Sequence, residues 1–309
     1  MRPLNIKKSF EVEFTHNDKY CITIGRDVNM FEITTGKRIW KSHPLSNLSY
    51  IAISPNDNFV CVKNTEGKIK LLDTKDGTVI NEFISDDKCE GSNIIYSNDG
   101  EFIVSGTWEG VINVIDSKNG KILETYDAEK NKMVTHIFKK QNGKTLYTVH
   151  QPIAQFDDMP PENNYIIEWA WPLSKLKTKT LSPNFWRVSE IKFSPSEKMV
   201  CTIIQNLKTM DFEICVIEFI NCNLIWKKTI NPSGTNDAVC WSKDGKYLFS
   251  VQDNCVIVFE SRTGEKISEY DLEYPCDIKC SNNNKLIAIG SWDSGIIMDI
   301  DDIINETIS

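Results

Sequence analysis

Four histidines, His16, His43, His136 and His150, are the side chains of this 309-residue chain best suited to proton transfer or metal ligation near neutral pH. No two of them stand at a ligand spacing and no nucleophile–base pair forms around any, so each reads as a surface or turn residue. Cys276 and Cys280 are the nearest pair of the ten cysteines. Their spacing is not Cys-x-x-Cys and no second pair follows, so no metal site and no cofactor are expected. Gly143-Lys144-Thr145 has the ending of a phosphate-binding loop, but Phe138 stands where the leading glycine belongs, and apolar runs flank the tripeptide on both sides. It is a turn. Ser54-Pro55 and Ser194-Pro195 follow apolar runs and start turns, with no nucleophilic role. The residue types that suit recognition are richer: aromatics beside charges at Trp108 and Glu109, Phe156 with Asp157 and Asp158, Trp186 with Arg187, and Trp292 with Asp293.

The elements that would position these residues repeat. A polar turn ending at a Lys-like position and followed by an apolar run occurs at Asn17-Asp18-Lys19, Asn56-Asp57-Asn58, Asp99-Gly100-Glu101, Asn142-Gly143-Lys144, Ser196-Glu197-Lys198, Asp244-Gly245-Lys246 and Asn283-Asn284-Lys285. Successive copies lie 39, 43, 43, 54, 48 and 39 residues apart. A period of about 40 with strand-like content throughout is that of four-stranded propeller blades. The expected fold is therefore all-β, a seven-bladed β-propeller with four antiparallel strands per blade. It forms one domain over residues 1–309, with blades near 10–43, 48–84, 92–127, 133–181, 186–230, 235–272 and 274–309. Blade four carries an insert, His150 to Asn164, whose Pro160 and Pro161 cannot join a ladder. Blade seven runs out of chain before an outer strand, and Leu4 to Lys8 lies one strand upstream of blade one. The N-terminal strand, within residues 3–9, is thus expected to complete the last blade.

Net charge is −8 and the pI is near 5.2, which disfavours binding to phosphate backbones. No run of eighteen uncharged apolar residues predicts a membrane helix, and residues 1–14 lack an apolar core of signal-peptide length, so a cytoplasmic location is expected. Cys21, Cys61, Cys201, Cys215, Cys240, Cys255 and Cys280 fall where other repeats place Val, Ile or Phe, as buried reduced thiols do. Trp40, Trp226 and Trp241 lie inside strands and are expected in the core.

Ser105-Gly106-Thr107-Trp108-Glu109-Gly110 and Gly290-Ser291-Trp292-Asp293-Ser294-Gly295 resemble the turn between second and third strands of WD repeats. The run from Phe31 to Trp40, with Thr34-Thr35-Gly36-Lys37 at its centre, is similar to the repeat of outer-membrane assembly and quinoprotein propellers. The Trp-Asp ending of the third strand is replaced by Leu72-Asp73, Ile115-Asp116, Phe259-Glu260 and Met298-Asp299, and the Gly-His before the first strand is missing. The hydrogen-bond network of that family is therefore incomplete here, and apolar packing between blades must carry more of the stability. The quinone-dependent activity of exported relatives is not carried over.

Geometry then points to function. In a propeller the turns between second and third strands share a face with the connectors between blades, around the mouth of the central channel. That face would collect Trp108, Glu109, Phe156, Asp157, Asp158, Trp186, Arg187, Trp292 and Asp293. Two placements stay open for Trp108 and Trp292, exposed or packed sideways over a neighbouring blade. The expected function is a non-catalytic protein-binding module, an adaptor or an inhibitory, immunity-type protein. Its partner would be a protein with a basic patch, and the chain itself a monomer. The competing class is an enzyme or small-molecule binder at the channel mouth, which converging carboxylates or histidines with raised pKa values would favour.

Overall fold

All seven repeated turns hold their middle residue in the left-handed region: φ is +53° at Asp18, +59° at Asp57, +75° at Gly100, +66° at Gly143, +56° at Glu197, +73° at Gly245 and +59° at Asn284. Gly, Asn and Asp reach that region with least strain, which explains most of the residues found there. In six copies a hydroxyl sets the turn. Thr15, Ser54, Ser97, Ser194, Ser242 and Ser281 each accept the amide of the residue five positions on, at 2.9–3.1 Å. These hydroxyls are backbone partners, as the reading of Ser54 and Ser194 as turn formers requires. The last residue of the phrase also has a fixed task. The carbonyls of Lys19, Asn58, Glu101, Lys198, Lys246 and Lys285 accept the amide that follows the third strand of their blade, at 2.8–3.0 Å.

These turns belong to a seven-bladed β-propeller of antiparallel sheets, seen in a computed structural model that describes residues 2–84, 89–127, 132–140, 143–152, 164–170, 174–180, 186–206, 209–231 and 238–306. Blade one is Glu11–Phe14, Tyr20–Ile24, Val28–Glu32 and Arg38–Ser42. Blade two is Leu48–Ile53, Phe59–Asn64, Lys68–Asp73 and Val79–Ile84; blade three is Ile94–Tyr96, Phe102–Gly106, Val111–Asp116 and Ile122–Asp127. Blade four is Lys132–Lys139, Thr145–Pro152, Tyr165–Ala170 and Ser174–Thr180; blade five is Trp186–Phe193, Met199–Asn206, Phe212–Glu218 and Leu224–Ile230. Blade six is Val239–Trp241, Tyr247–Gln252, Cys255–Glu260 and Lys266–Asp271.

Blade seven is completed by the N-terminal strand Leu4–Ser9, as expected. Its first strand, Pro275–Cys280, pairs with the first half of the long segment Leu286–Asp299, and Leu4–Ser9 pairs with the second half, Leu4 facing Ile297. The long segment folds back between its halves. A Cβ on Gly295 would stand 2.8 Å from the Ile289 carbonyl oxygen, so only glycine allows that return. A five-residue helix, Ile300–Ile304, then buries Ile300 and Ile303 in the apolar cluster of blade six.

The chain divides into two compact units, residues 1–41 with 188–309, and residues 42–187. In the first, one apolar cluster runs through blades five, six and seven, and a second joins the N-terminal strand and blade seven to blade one around Ile6, Val12, Phe14, Ala288 and Ile297. The turns of this unit are also tied directly: Asp18 Oδ1 and Oδ2 accept the amides of Asn282 and Asn283, each at 2.8 Å, and Asn284 Oδ1 accepts the amide of Lys243 at 2.6 Å. The second unit stacks blades two to four through Ile69, Phe83, Ile103, Val114, Ile137 and Trp169. Trp40, Trp226 and Trp241 are buried, as expected of strand tryptophans.

Three expectations are corrected. His150 is not a turn residue: the second strand of blade four runs on to Pro152, and the imidazole is fully buried with Nε2 2.6 Å from Thr148 Oγ1, which also accepts Trp169 Nε1–H at 2.8 Å. His136 also lies within a strand, part-buried and stacked on Phe138. Cys255 and Cys240 are only half-buried, whereas Cys21, Cys61, Cys201, Cys215, Cys276 and Cys280 are buried; none of the ten cysteines forms a disulfide.

Candidate functional site

Within a blade, the turn between second and third strands meets the incoming connector. The Thr65 amide donates to the Asn47 carbonyl at 2.9 Å, Asp253 to Asn231 at 3.1 Å, and Trp292 to Tyr274 at 3.0 Å. This is the juxtaposition that would build a shared recognition surface, and blade seven shows its fullest form. Trp292 is 42% exposed; its indole stacks on Phe10 at 5.3 Å, with Lys8 Nζ 5.6 Å from the ring. Both placements considered for it therefore hold at once: it packs over the start of blade one and keeps its outer face in solvent. Beside it Tyr274 is 59% exposed, and Glu273 and Asp293 are exposed as well. Tyr274 has φ +47° although it precedes Pro275. A non-glycine residue there carries backbone strain on the order of 1–2 kcal/mol, and the Trp292 amide bond and the buried ring of Pro275 hold it.

Trp108 is 44% exposed at the corresponding turn of blade three, with Glu109 exposed next to it; Thr107 Oγ1 accepts the amides of Glu109 and Val111 and shapes that turn. Trp186 and Arg187 open the first strand of blade five instead of lying in a connector, and Arg187 is exposed. Phe156, Asp157 and Asp158 lie outside the described residues. Tyr274 was not among the residues singled out from sequence, although the rule that connectors share a face with these turns applies to it directly.

A second set of residues escaped sequence reasoning. Four positions ahead of the turn hydroxyl, the first strands of blades one, five and seven carry Glu11, Glu190 and Asp277, and blade six carries Ala238. Two positions ahead they carry Glu13, Lys192 and Lys279, and blade six Cys240. Glu11, Glu190 and Asp277 are buried, at 5%, 1% and 0% exposure. Asp277 Oδ2 accepts the Val12 amide at 2.6 Å and Oδ1 makes no hydrogen bond. Glu190 Oε1 accepts the Ile191 amide at 3.0 Å and lies 3.6 Å from Lys192 Nζ; Oε2 has no hydrogen bond of good geometry, though the Ala238 amide is close. Lys279 Nζ is 3.9 Å from Glu13 Oε2.

Burial dominates the electrostatics of this set. It pushes the Asp277 carboxyl well above the carboxylate range, and Glu11 and Glu13 add to the rise, while the Val12 amide and Lys192 oppose it. Burial raises Glu190 too, against Lys192 and Lys279. Lys279 is lowered by burial and by Lys192, against Glu13, Glu11 and Glu190. The Cys240 thiol is lowered by a hydrogen bond from the Cys280 thiol and by Lys243 and Lys192, and its sulfur accepts the Cys280 amide at 3.2 Å.

No group of three or more His, Cys, Asp or Glu among the described residues is placed to hold a metal ion. No helix among them is long and apolar enough to cross a membrane. No protein-family model matches the chain and no curated protein matches it.

Proposed function

We propose that this propeller is a non-catalytic, cytoplasmic module that binds a protein partner through the turns and connectors of its blades, with Tyr274 and Trp292 as the anchors. One observation carries the reading: Tyr274 is held in a strained conformation with its ring in solvent, next to a tryptophan whose outer face is also in solvent. The connector bond sets the backbone there, since Asn47, whose carbonyl accepts the Thr65 amide in the same way, has φ +51°; a tyrosine at that position presents a rigid exposed ring, and rigid aromatics lose little entropy on capture. Exposed Glu273 and Asp293 flank the pair, and a net charge of −8 suits a partner with a basic patch. Trp108 with Glu109, Arg187, and the acidic Asp157 and Asp158 would add contacts. Kinship with WD-repeat or quinoprotein-like propellers agrees with the Trp-centred turns and with the Trp169–Thr148–His150 chain of hydrogen bonds in blade four. An adaptor and an inhibitory, immunity-type protein would use such a surface alike.

The test is affinity capture of the tagged chain from its native cell, wild type against the double variant Tyr274→Ala, Trp292→Ala. A specific partner retained by the wild type and lost by the double variant, with the melting temperature within a few degrees, is the expected result. Equal capture by both would refute the reading.

A further inference from the structure

The first strands of blades one, five and seven place three carboxylates, Glu11, Glu190 and Asp277, at one register position, where blade six has only the small Ala238. We propose that this layer is a binding site for a small organic cation, an amine or guanidinium compound, with Asp277 Oδ1 as its central acceptor.

Buried carboxylates are rare unless paired, because taking each out of water costs several kcal/mol. Here three are buried; Asp277 Oδ1 has no hydrogen-bond partner, and Glu190 Oε2 has none of good geometry. Lys192 and Lys279 lie one layer away, two positions along the strands, and they are shared with Glu190 and Glu13 at 3.6 and 3.9 Å. Six groups, Glu11, Glu13, Glu190, Asp277, Lys192 and Lys279, thus leave an excess of two negative charges when all are ionised. The partial exposure of Glu13, Lys192 and Lys279 opens the set to solvent on the side of the second layer. Ala238 is the one small side chain at that register position among blades one, five, six and seven.

The carboxylates are too dispersed to share a bare metal ion, so the complementary charge is carried by a larger group with several N–H donors. The groups facing Asp277 are Glu11, Glu13 and Cys21 from blade one and Lys192 from blade five, with Cys276 and Lys279 on its own strand. Burial makes the Asp277 carboxyl hold its proton more tightly than a free carboxyl does, so a cation bound at Oδ1 competes with that proton and releases it to solvent. Binding therefore strengthens as pH rises.

Isothermal titration of the full-length protein with agmatine and with spermidine, at about pH 6 and about pH 8 and in two buffers of different ionisation enthalpy, tests this. The expected result is saturable binding of at least one probe, several-fold tighter at the higher pH, with net proton release. Asp277→Asn should weaken it at least tenfold, and Glu190→Gln serves in its place if that variant does not fold. Absence of binding by both probes at millimolar concentration would overturn the proposal, as would affinity unchanged in the folded variants. Tighter binding of magnesium or calcium than of either amine at the same residues would overturn it too. The loop-surface reading stands or falls separately, because Tyr274 and Trp292 take no part in this titration.

Discussion

Asp277 and Glu190 hold their protons more tightly in the folded chain than in the unfolded one. For groups with raised pKa values the stabilising effect is whole below the ordinary carboxylate range and is lost as pH rises through their folded values. The melting temperature is thus expected to decline through these two groups as pH rises above the ordinary carboxylate range, and Asp277→Asn, which carries no charge to bury, should flatten that decline. Thermal melts across a pH series decide it; a variant with the same slope as wild type would show that Asp277 is ionised and stabilised by other means. The repeated turn makes a second prediction at this scale. Asp18→Gly removes the carboxylate that accepts the Asn282 and Asn283 amides and the Asn282 side-chain amide, with an expected loss of about 1–3 kcal/mol, in part offset because glycine carries no strain at φ +53°. Gly245→Ala tests the backbone term by itself at φ +73°, with an expected cost of about 1–2 kcal/mol in denaturant unfolding. Among the thiols, Cys222 is exposed whereas Cys21, Cys61 and Cys201 are fully buried with pKa values raised by burial. Alkylation of the native protein should label Cys222 and leave those three untouched until unfolding, as mass mapping would show.

The element that most affects stability for its length is the N-terminal strand. Leu4–Ser9 pairs with the second half of Leu286–Asp299, buries Ile6 against blades seven and one, and passes so close to blade one that a Cβ on Gly25 would stand 2.7 Å from the Lys8 carbonyl oxygen. Deleting residues 1–9 removes a strand of ladder bonds and opens an edge beside Ile297. The melting temperature is expected to fall by on the order of 10 °C, from a loss of several kcal/mol at roughly 2–4 °C per kcal/mol. An unchanged melt would mean that blade seven does not need this strand. The position of this strand was legible from sequence because the chain stops one strand short in its last repeat and begins one strand early in its first. His150 departs from the expectation because the prolines after it signal a loop, yet the ladder pairs it with Tyr165.

At the scale of the molecule, the balance of 43 acidic against 35 basic residues would make the proposed recognition of a basic partner dependent on ionic strength. Raising salt from about 0.05 to 0.5 M should weaken capture by Tyr274 and Trp292 several-fold, while an interface held by aromatics alone would change little; capture across a salt series separates the two. Apolar packing is continuous through blades five, six and seven.

The amino-acid sequence alone determined the class of fold, the number of blades, the turns and the closing strand, because each depends on local rules that repeat: left-handed residues at fixed offsets, a hydroxyl that caps the turn, apolar runs of strand length. It also marked Trp108 and Trp292 as turn residues. Only the tertiary structure decided which side chains share a layer. Glu11, Glu190 and Asp277 are separated by more than 80 residues at each step, and each by itself is one polar residue in an apolar strand. What brings them into one electrostatic system is the side-by-side placing of blades, and the burial that raises Asp277 and Glu190 is a property of neighbours far along the chain. Tyr274 is a similar case, since its strain comes from the bond its carbonyl makes to Trp292.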